Sequence, residues 1–245
     1  MNDSKAAIIL AAGKGKRMKS DLPKVLHEIA GKPMIRHVLD MLTPLQFDKT
    51  IVVIGHKGEL VKEALRDYPV RFAWQHEQLG TGDAVKMAAD ELADFDGTTL
   101  VAAGDVPFLS ADAVSLLLDT HRRTGAAATC LSAVFDDPSG YGRIIRDGNS
   151  DRLVAIVEDR DADQDQKAIH EINSGTFCFD NRLLFDSLGQ LTNDNAQGEY
   201  YLTDVIKILH DKGLTVSVVP APNPREVLGV NSVEQLRALE KEFIG

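Results

Sequence analysis

Ala6-Ala7-Ile8-Ile9-Leu10-Ala11-Ala12-Gly13-Lys14-Gly15-Lys16-Arg17-Met18 joins an unbroken apolar run to a glycine turn rich in cations. An apolar run without alternation, Ala6–Leu10, reads as a strand buried on both faces, as in parallel sheets. Glycines at 13 and 15 permit a tight turn and let backbone N–H groups approach an anion. In open α/β sheets ligands bind beyond the carboxyl ends of strands, and the turn falls there. Two familiar phosphate loops do not fit. A dinucleotide fingerprint and a Walker loop starting at Gly13 each require glycine where this chain has Met18. Taken alone, the turn is equally a plain strand-to-helix connection with solvated lysines.

Beyond the turn, strand-like and helical runs alternate. Helices are predicted at Pro33–Leu42, Gly58–Arg66, Asp83–Leu92 and Ser110–Thr124, the last with Ser110 as N-cap and Gly125 just past its end. Strands are predicted at Thr50–Ile54, Val70–Trp74, Thr99–Ala103 and Ala127–Phe135. This βαβα order through the first ~135 residues argues for an α/β fold with a mostly parallel sheet flanked by helices. Later the pattern loosens. Arg143–Arg146, Leu153–Glu158 and Ile172–Phe179 look like strands without full crossover helices, and Asp159–Gln166 like a polar loop. Tyr200–Lys212 and Ser232–Phe243 read as helices around a strand at Thr215–Val219. The organisation expected is one domain over residues 1–245. Its nucleotide-binding core comprises about 1–135 and 226–245, and a smaller, more antiparallel lobe about 136–225.

Bulk properties narrow the function. Among 245 residues, 27 are Lys or Arg and 37 are Asp or Glu, a formal net charge of −10, with 44% hydrophobic residues. Those are globular fractions, and no basic stretch supplies a nucleic-acid footprint. No apolar stretch approaches the ~20 residues of a membrane helix, and the run after Met1 is too short for a signal peptide. Cys130 and Cys178 are the only cysteines, too few for a zinc site alone or a disulfide scaffold, so a reducing cytoplasm is expected. His27, His37, His56, His76, His121, His170 and His210 show no zinc-ligand spacing. Trp74, Cys130 and Cys178 lie in strand-like runs and read as packing residues. Against this acidic background, Lys14, Lys16, Arg17, Lys19 and Lys24 crowd around the glycine turn, and Pro23 stiffens the loop carrying Lys24. Local positive charge at such a turn suits a triphosphate.

Several segments carry a resemblance in the same order along the chain. They are Leu10–Met18 with Pro23-Lys24-Val25-Leu26, then Gln75 with Gln78-Leu79-Gly80-Thr81-Gly82, Gly104-Asp105-Val106-Pro107, and Gly140-Tyr141-Gly142-Arg143-Ile144. Ile156-Val157-Glu158, Glu171-Ile172-Asn173-Ser174-Gly175, Asn195-Ala196-Gln197-Gly198-Glu199-Tyr200-Tyr201-Leu202-Thr203-Asp204 and Gly229-Val230-Asn231 complete the set. Together they resemble the sugar-1-phosphate nucleotidyltransferases, most closely the bacterial uridylyltransferase domains that make UDP-N-acetylglucosamine. The resemblance runs from Ala6 to Leu239.

That resemblance implies a Rossmann-like, mostly parallel sheet flanked by helices with a small inserted substrate lobe. It implies UTP and a sugar 1-phosphate as partners and Mg²⁺ as cofactor, in a monomer or weak homo-oligomer. Leu10, Ala12, Gly13, Gln75, Gln78, Gly80 and Thr81 would bind the nucleotide, the glutamine amides matching the donors and acceptors of a uracil edge. Arg17 and Lys24 would be the catalytic cations. Asp105 and Asn231 would hold Mg²⁺, a hard cation that takes oxygen ligands. Gly142, Glu158, Asn173 and Asn231 would bind the sugar. A sugar phosphate is already an anion near neutral pH, its second pKa being ~6, so the reaction would need no general base.

Two segments depart from the family's pattern. Ala102-Ala103 stand where an aromatic residue often precedes the Gly104-Asp105 element. Asp159-Arg160-Asp161-Ala162 carries arginine where lysine is usual. No hexapeptide repeat of the kind that forms an acetyltransferase domain follows, so acetyl transfer is not expected of these residues. Glucose 1-phosphate as the acceptor, or a non-catalytic nucleotide-sugar binding module, are the alternatives.

Overall fold

Ile8 and Ile9 point to opposite faces of their strand, and both are fully buried. Burying an isoleucine side chain stabilises by roughly 1.5–3 kcal/mol, so a strand with both faces apolar must lie inside a sheet covered on both sides. A computed structural model of the chain describes residues 4–148, 150 and 152–244 and shows that arrangement. Met1, Asn2 and Asp3, part of the N-terminal reading, and the side chain of Lys16 lie outside what is described.

The strands are β1 (Lys5–Ala11), β2 (Glu28–Ile29), β3 (Lys32–Pro33), β4 (Lys49–Ile54), β5 (Arg71–Trp74) and β6 (Thr98–Ala103). They continue with β7 (Ala128–Val134), β8 (Arg143–Arg146), β9 (Leu153–Val157), β10 (Glu171–Asp180) and β11 (Val216–Pro220). The main sheet runs β11-β7-β10-β6-β1-β4-β5, with β8 pairing β10 and β9 pairing β8. β1, β4, β5 and β6 are mutually parallel where they pair, β11 is parallel to β7, and β10 runs antiparallel to β6 and β7. The mixed, mostly parallel sheet flanked by helices is the α/β fold expected. Of residues 136–225, however, β10 and β11 belong to the main sheet. The β8–β9 hairpin extends it sideways from β10.

The helices are α1 (Met34–Leu42), α2 (Gly58–Ala64), α3 (Thr81–Lys86), α4 (Ala89–Leu92), α5 (Ala111–Thr124), α6 (Gln164–Lys167), α7 (Asn181–Leu188), α8 (Asp204–Asp211) and α9 (Val233–Ile244). One face of the sheet, with Ile9, Val52 and Leu100, is covered by Ile35, Val38 and Leu39 of α1 and Val114 and Leu117 of α5. The other, with Ile8, Val53 and Val101, is covered by Val85 of α3, Leu184 of α7 and Ile206 of α8. A third cluster joins Met18 to Val230 and to Leu236 and Leu239 of α9. Position 18 therefore holds an anchor for the glycine turn, which is why neither glycine-requiring phosphate loop applies.

Several boundaries differ from expectation, each for a local reason. The helix expected over Asp83–Leu92 is two, because Ala88 N–H bonds the carbonyl of Val85 and tightens the chain between α3 and α4. The loop expected at Asp159–Gln166 ends in α6, opened by a reciprocal capping box between Asp163 and Gln166. Pro33 is not the first helical residue but an extended N-cap before α1. The helix expected from Tyr200 starts at Asp204, since Tyr200 is held instead against another loop. Ser110 does cap α5, accepting from Ala113 N–H.

Candidate functional site

The register of the parallel strands brings the site together. Leu10 stands level with Val53 on one side and Ala103 on the other, and Ile54 with Trp74. The residues that follow these strands therefore emerge at one edge. Gly104 N–H donates to the Leu10 carbonyl at 2.9 Å and Gln75 N–H to the Ile54 carbonyl at 2.8 Å. A cleft of about 570 Å³ opens there. Leu10, Ala12, Gly13, Arg17, Lys24, Gln75, Gln78, Gly80, Thr81, Asp105 and Asn231 all line it. Lys14 of the basic turn lines it as well, as do Ala103 and Glu199, to which the sequence assigned no ligand contact.

Lys24 sits in a short 3₁₀ turn behind the extended Pro23. Gly15 makes this approach possible: its φ is +57°, and a Cβ there would lie 2.7 Å from the Cβ of Lys24. The Lys24 ammonium forms an ion pair with Asp105 Oδ2 and donates to Asn231 Oδ1 at 2.8 Å. Arg17 donates to the same Asn231 oxygen at 2.9 Å. Asp105 and Asn231 are brought together by the backbone, since Val230 N–H donates to the Asp105 carbonyl at 3.0 Å. Gln235 Oε1, on α9, accepts from the Asn231 N–H at 2.7 Å. Two oxygens far apart in sequence thus converge on one cationic group.

The other wall joins two motifs. Gly80, at φ +121°, lies so close to Tyr200 that a Cβ would be 2.5 Å from the Tyr200 carbonyl oxygen. Tyr200 N–H donates to the Leu79 carbonyl and Gly82 N–H to the Tyr200 carbonyl, both at 2.8 Å. Thr81 opens α3 but does not cap it; its hydroxyl accepts from Leu202 N–H at 3.1 Å. Gln75 is buried and donates through Nε2 to the Gly80 carbonyl at 3.0 Å and to Asp83 Oδ2 at 2.7 Å. Gln78 folds its amide back to the Gln75 carbonyl at 3.2 Å.

Gly142, Glu158 and Asn173 do not line this cleft but form a second group around β8, β9 and β10. Asn173 N–H donates to the Gly142 carbonyl at 2.8 Å, and a Cβ on Gly142 would stand 3.5 Å from both carboxylate oxygens of Glu158. The Thr203 hydroxyl donates to Glu158 at 2.9 Å. Burial pushes the Glu158 carboxyl up, the Thr203 bond partly offsets this, and Asp204, Asp161 and Asp159 add to the rise. Asn173 Oδ1 accepts from Gly175 N–H at 2.8 Å and from the Cys130 thiol at 3.4 Å. Its amide nitrogen is left as a donor. Below it, burial works against the charge of Glu171, yet Arg146 and the Ser132 hydroxyl hold that carboxyl below its usual range. Tyr141 links the two groups: burial, and secondarily the Asp105 carboxylate, raise its hydroxyl pKa.

The departing segments have structural places. Ala103 lies open in the cleft while Ala102 is core. Asp159 accepts from the buried Arg143 at 3.0 Å, and Asp161 accepts from Ala196 N–H and the Tyr201 hydroxyl. Among the described residues no group of three or more His, Cys, Asp or Glu is set to hold a metal ion, and no helix is long and apolar enough to cross a membrane.

A family model described as a MobA-like NTP transferase domain matches residues 7–211. The chain belongs to this NTP transferase family. It is similar to the bifunctional protein GlmU of Heliobacterium modesticaldum, 52% identical over 236 residues that make up 96% of this chain and 51% of that protein. Against the GlmU of Shouchella clausii it is 52% identical over 225 residues, 92% of this chain and 49% of that one. The chain thus spans about half the length of the curated relatives it matches. A crystal structure of a UDP-glucose pyrophosphorylase complexed with UDP-glucose shares the NTP transferase chain's fold, with a TM-score of 0.76 over 98% of both chains at 16% identity.

Proposed function

We propose that the chain transfers a uridylyl group from UTP to N-acetylglucosamine 1-phosphate, giving UDP-N-acetylglucosamine and pyrophosphate. The observation that carries this reading is the convergence of Lys24, Arg17, Asp105 and Asn231 beside the glycine turn. In the reaction an oxygen of the sugar phosphate forms a bond to the α-phosphorus of UTP. The bond from that phosphorus to the bridging oxygen breaks, and pyrophosphate leaves with the electron pair. Since the nucleophile is already anionic, the chain contributes position and charge rather than a base. Arg17 and the backbone at Gly13 hold the phosphates, and Lys24 stabilises charge at the α-phosphate.

Asp105 and Asn231 suit Mg²⁺, because their oxygens already converge on one cationic group and are hard donors. A bound Mg²⁺ would neutralise charge on the triphosphate. On the sugar side, Glu158 accepts hydroxyl hydrogen bonds. Asn173, its oxygen already taken by Gly175 and Cys130, offers N–H to an acceptor such as the N-acetyl carbonyl.

The test is pyrophosphate release with UTP, CTP, GTP and dTTP crossed against N-acetylglucosamine 1-phosphate and glucose 1-phosphate, with and without Mg²⁺. Release is expected to be fastest with UTP, N-acetylglucosamine 1-phosphate and Mg²⁺. No release from any pair would overturn the reading, and release with glucose 1-phosphate alone would overturn the sugar.

A further inference from the structure

Gln75 has one primary amide, and its two ends are nearly identical in shape. What it offers a ligand depends on which end is held inward. Both hydrogens of Nε2 are spent, on the Gly80 carbonyl and on Asp83 Oδ2. An ionised carboxylate can only accept, so Asp83 cannot be satisfied by the oxygen end of the amide. The side chain is otherwise buried, yet Gln75 lines the nucleotide cleft. Oε1 is therefore the polar atom left for a ligand. The neighbouring Gln78 turns its own amide N–H groups to the backbone carbonyls of Gln75, at 3.2 Å, and His76, at 3.5 Å, and does not replace the lost donor.

We propose that Asp83 is a positioning residue for nucleobase choice: it locks Gln75 so that the cleft meets an acceptor. This rests on the uridylyl reading and deepens it. Uracil has one donor on its pairing edge, N3–H, so an acceptor-only glutamine meets it there. Cytosine presents a lone pair at N3, which an acceptor repels. For CTP to bind well the amide must turn over, forfeiting the bonds to both Gly80 and Asp83. Without the Asp83 carboxylate only the weaker, neutral bond to the Gly80 carbonyl opposes that turn.

The experiment is calorimetric binding of UTP and of CTP, with Mg²⁺, to the wild-type chain, Asp83→Ala and Asp83→Asn, with KM and kcat for each nucleotide. Wild type is expected to prefer UTP. Asp83→Ala is expected to keep its UTP affinity and bind CTP more tightly, so that discrimination falls about tenfold with little change in kcat on UTP. Asp83→Asn is nearly the same size, but its amide can present either an acceptor or a donor to Gln75, so it too should lose much of the preference, which keeps the test open if the alanine variant misfolds. Equal losses for UTP and CTP in Asp83→Ala, or an unchanged ratio, would overturn the positioning role while leaving uridylyl transfer intact. A wild type without preference for UTP would overturn both.

Discussion

Gly13→Ala separates the fold of the glycine turn from its work. An alanine Cβ at this position meets no atom within 4 Å, and Gly13 is not among the residues with positive φ. The native backbone therefore accepts the substitution. The unfolded chain loses conformational freedom, which stabilises by about 0.4–1 kcal/mol. In a chain of this size that is a rise in Tm of roughly 1–4 °C. If the backbone here closes on the UTP phosphates, the same methyl stands in their way. Losing one charge-assisted hydrogen bond costs about 1.5–3 kcal/mol, or roughly 10–150-fold in affinity. The expected result is a protein as stable as wild type or more so, with UTP KM raised by at least tenfold in the pyrophosphate-release assay. An unchanged KM would show that the phosphates do not lie against this turn. The neighbouring wall behaves oppositely. Gly80→Ala combines a φ of +121° with a Cβ 2.5 Å from the Tyr200 carbonyl oxygen. The strained backbone alone costs about 1–3 kcal/mol, so Tm should fall by several degrees, and a normal melting curve would refute the close approach.

Asp105→Ala should remain folded, because the carboxylate sits at the cleft rather than in the core, and should lose at least a hundredfold in kcat/KM; near-normal turnover would remove Asp105 from the reaction. Glu158→Gln should change stability and binding in opposite directions. The folded-state pKa is raised, chiefly by burial, so the native carboxyl binds a proton more readily than the unfolded one, and stability falls as pH rises from the ordinary carboxyl range through the raised pKa. Removing the charge should therefore raise Tm at pH 7 while raising KM for the sugar phosphate, and a lower Tm would contradict the assignment. His121, bonded to the Thr129 hydroxyl, is pushed down to about 4 by burial, partly offset by Asp180. Stability from keeping it neutral is complete above pH 6.5 and is lost as pH falls to about 4, by about 3 kcal/mol. Urea midpoints at pH 7 and 4.5 should show this loss in wild type and a smaller one in His121→Gln.

What could be read ahead of the structure was whatever depends on neighbours in sequence. β1, β4 and β6 announce themselves as apolar runs because both their faces are covered, and Ser110 caps α5 through a bond to its own first turn. β10 is different. Its ten residues insert between β6 and β7 in the antiparallel sense, a pairing set by distant strands, so residues 136–225 looked more separate than they are. α7 went unread although Asp180 caps it by accepting from Leu183 N–H; the apolar strand just before it masked the change of period. For the site, the motifs found the residues that follow the strands. They could not reveal that Asp83 faces Gln75, or that Arg17 and Lys24 share one oxygen of Asn231. Those contacts join side chains from separate segments, and no spacing encodes them.

The charge of −10 opposes a triphosphate only weakly, because exposed charges beyond roughly 8 Å are largely screened at physiological salt. What an incoming anion meets is the cleft's own lining. There Arg17 and Lys24 both donate to the neutral amide oxygen of Asn231. A phosphate oxygen is the stronger acceptor, since hydrogen bonds between ions are roughly twice as strong as neutral ones. In the proposed reaction, transfer of Arg17 from Asn231 to a phosphate would be downhill and would leave no charge uncovered. Lys24 is held harder, because it also pairs with Asp105, and moving it to phosphate strands a carboxylate at 20% exposure. The two cations are thus unequal in how readily they are released. Affinity for the triphosphate should depend first on Arg17, whereas Lys24 engages fully only when another positive charge covers Asp105.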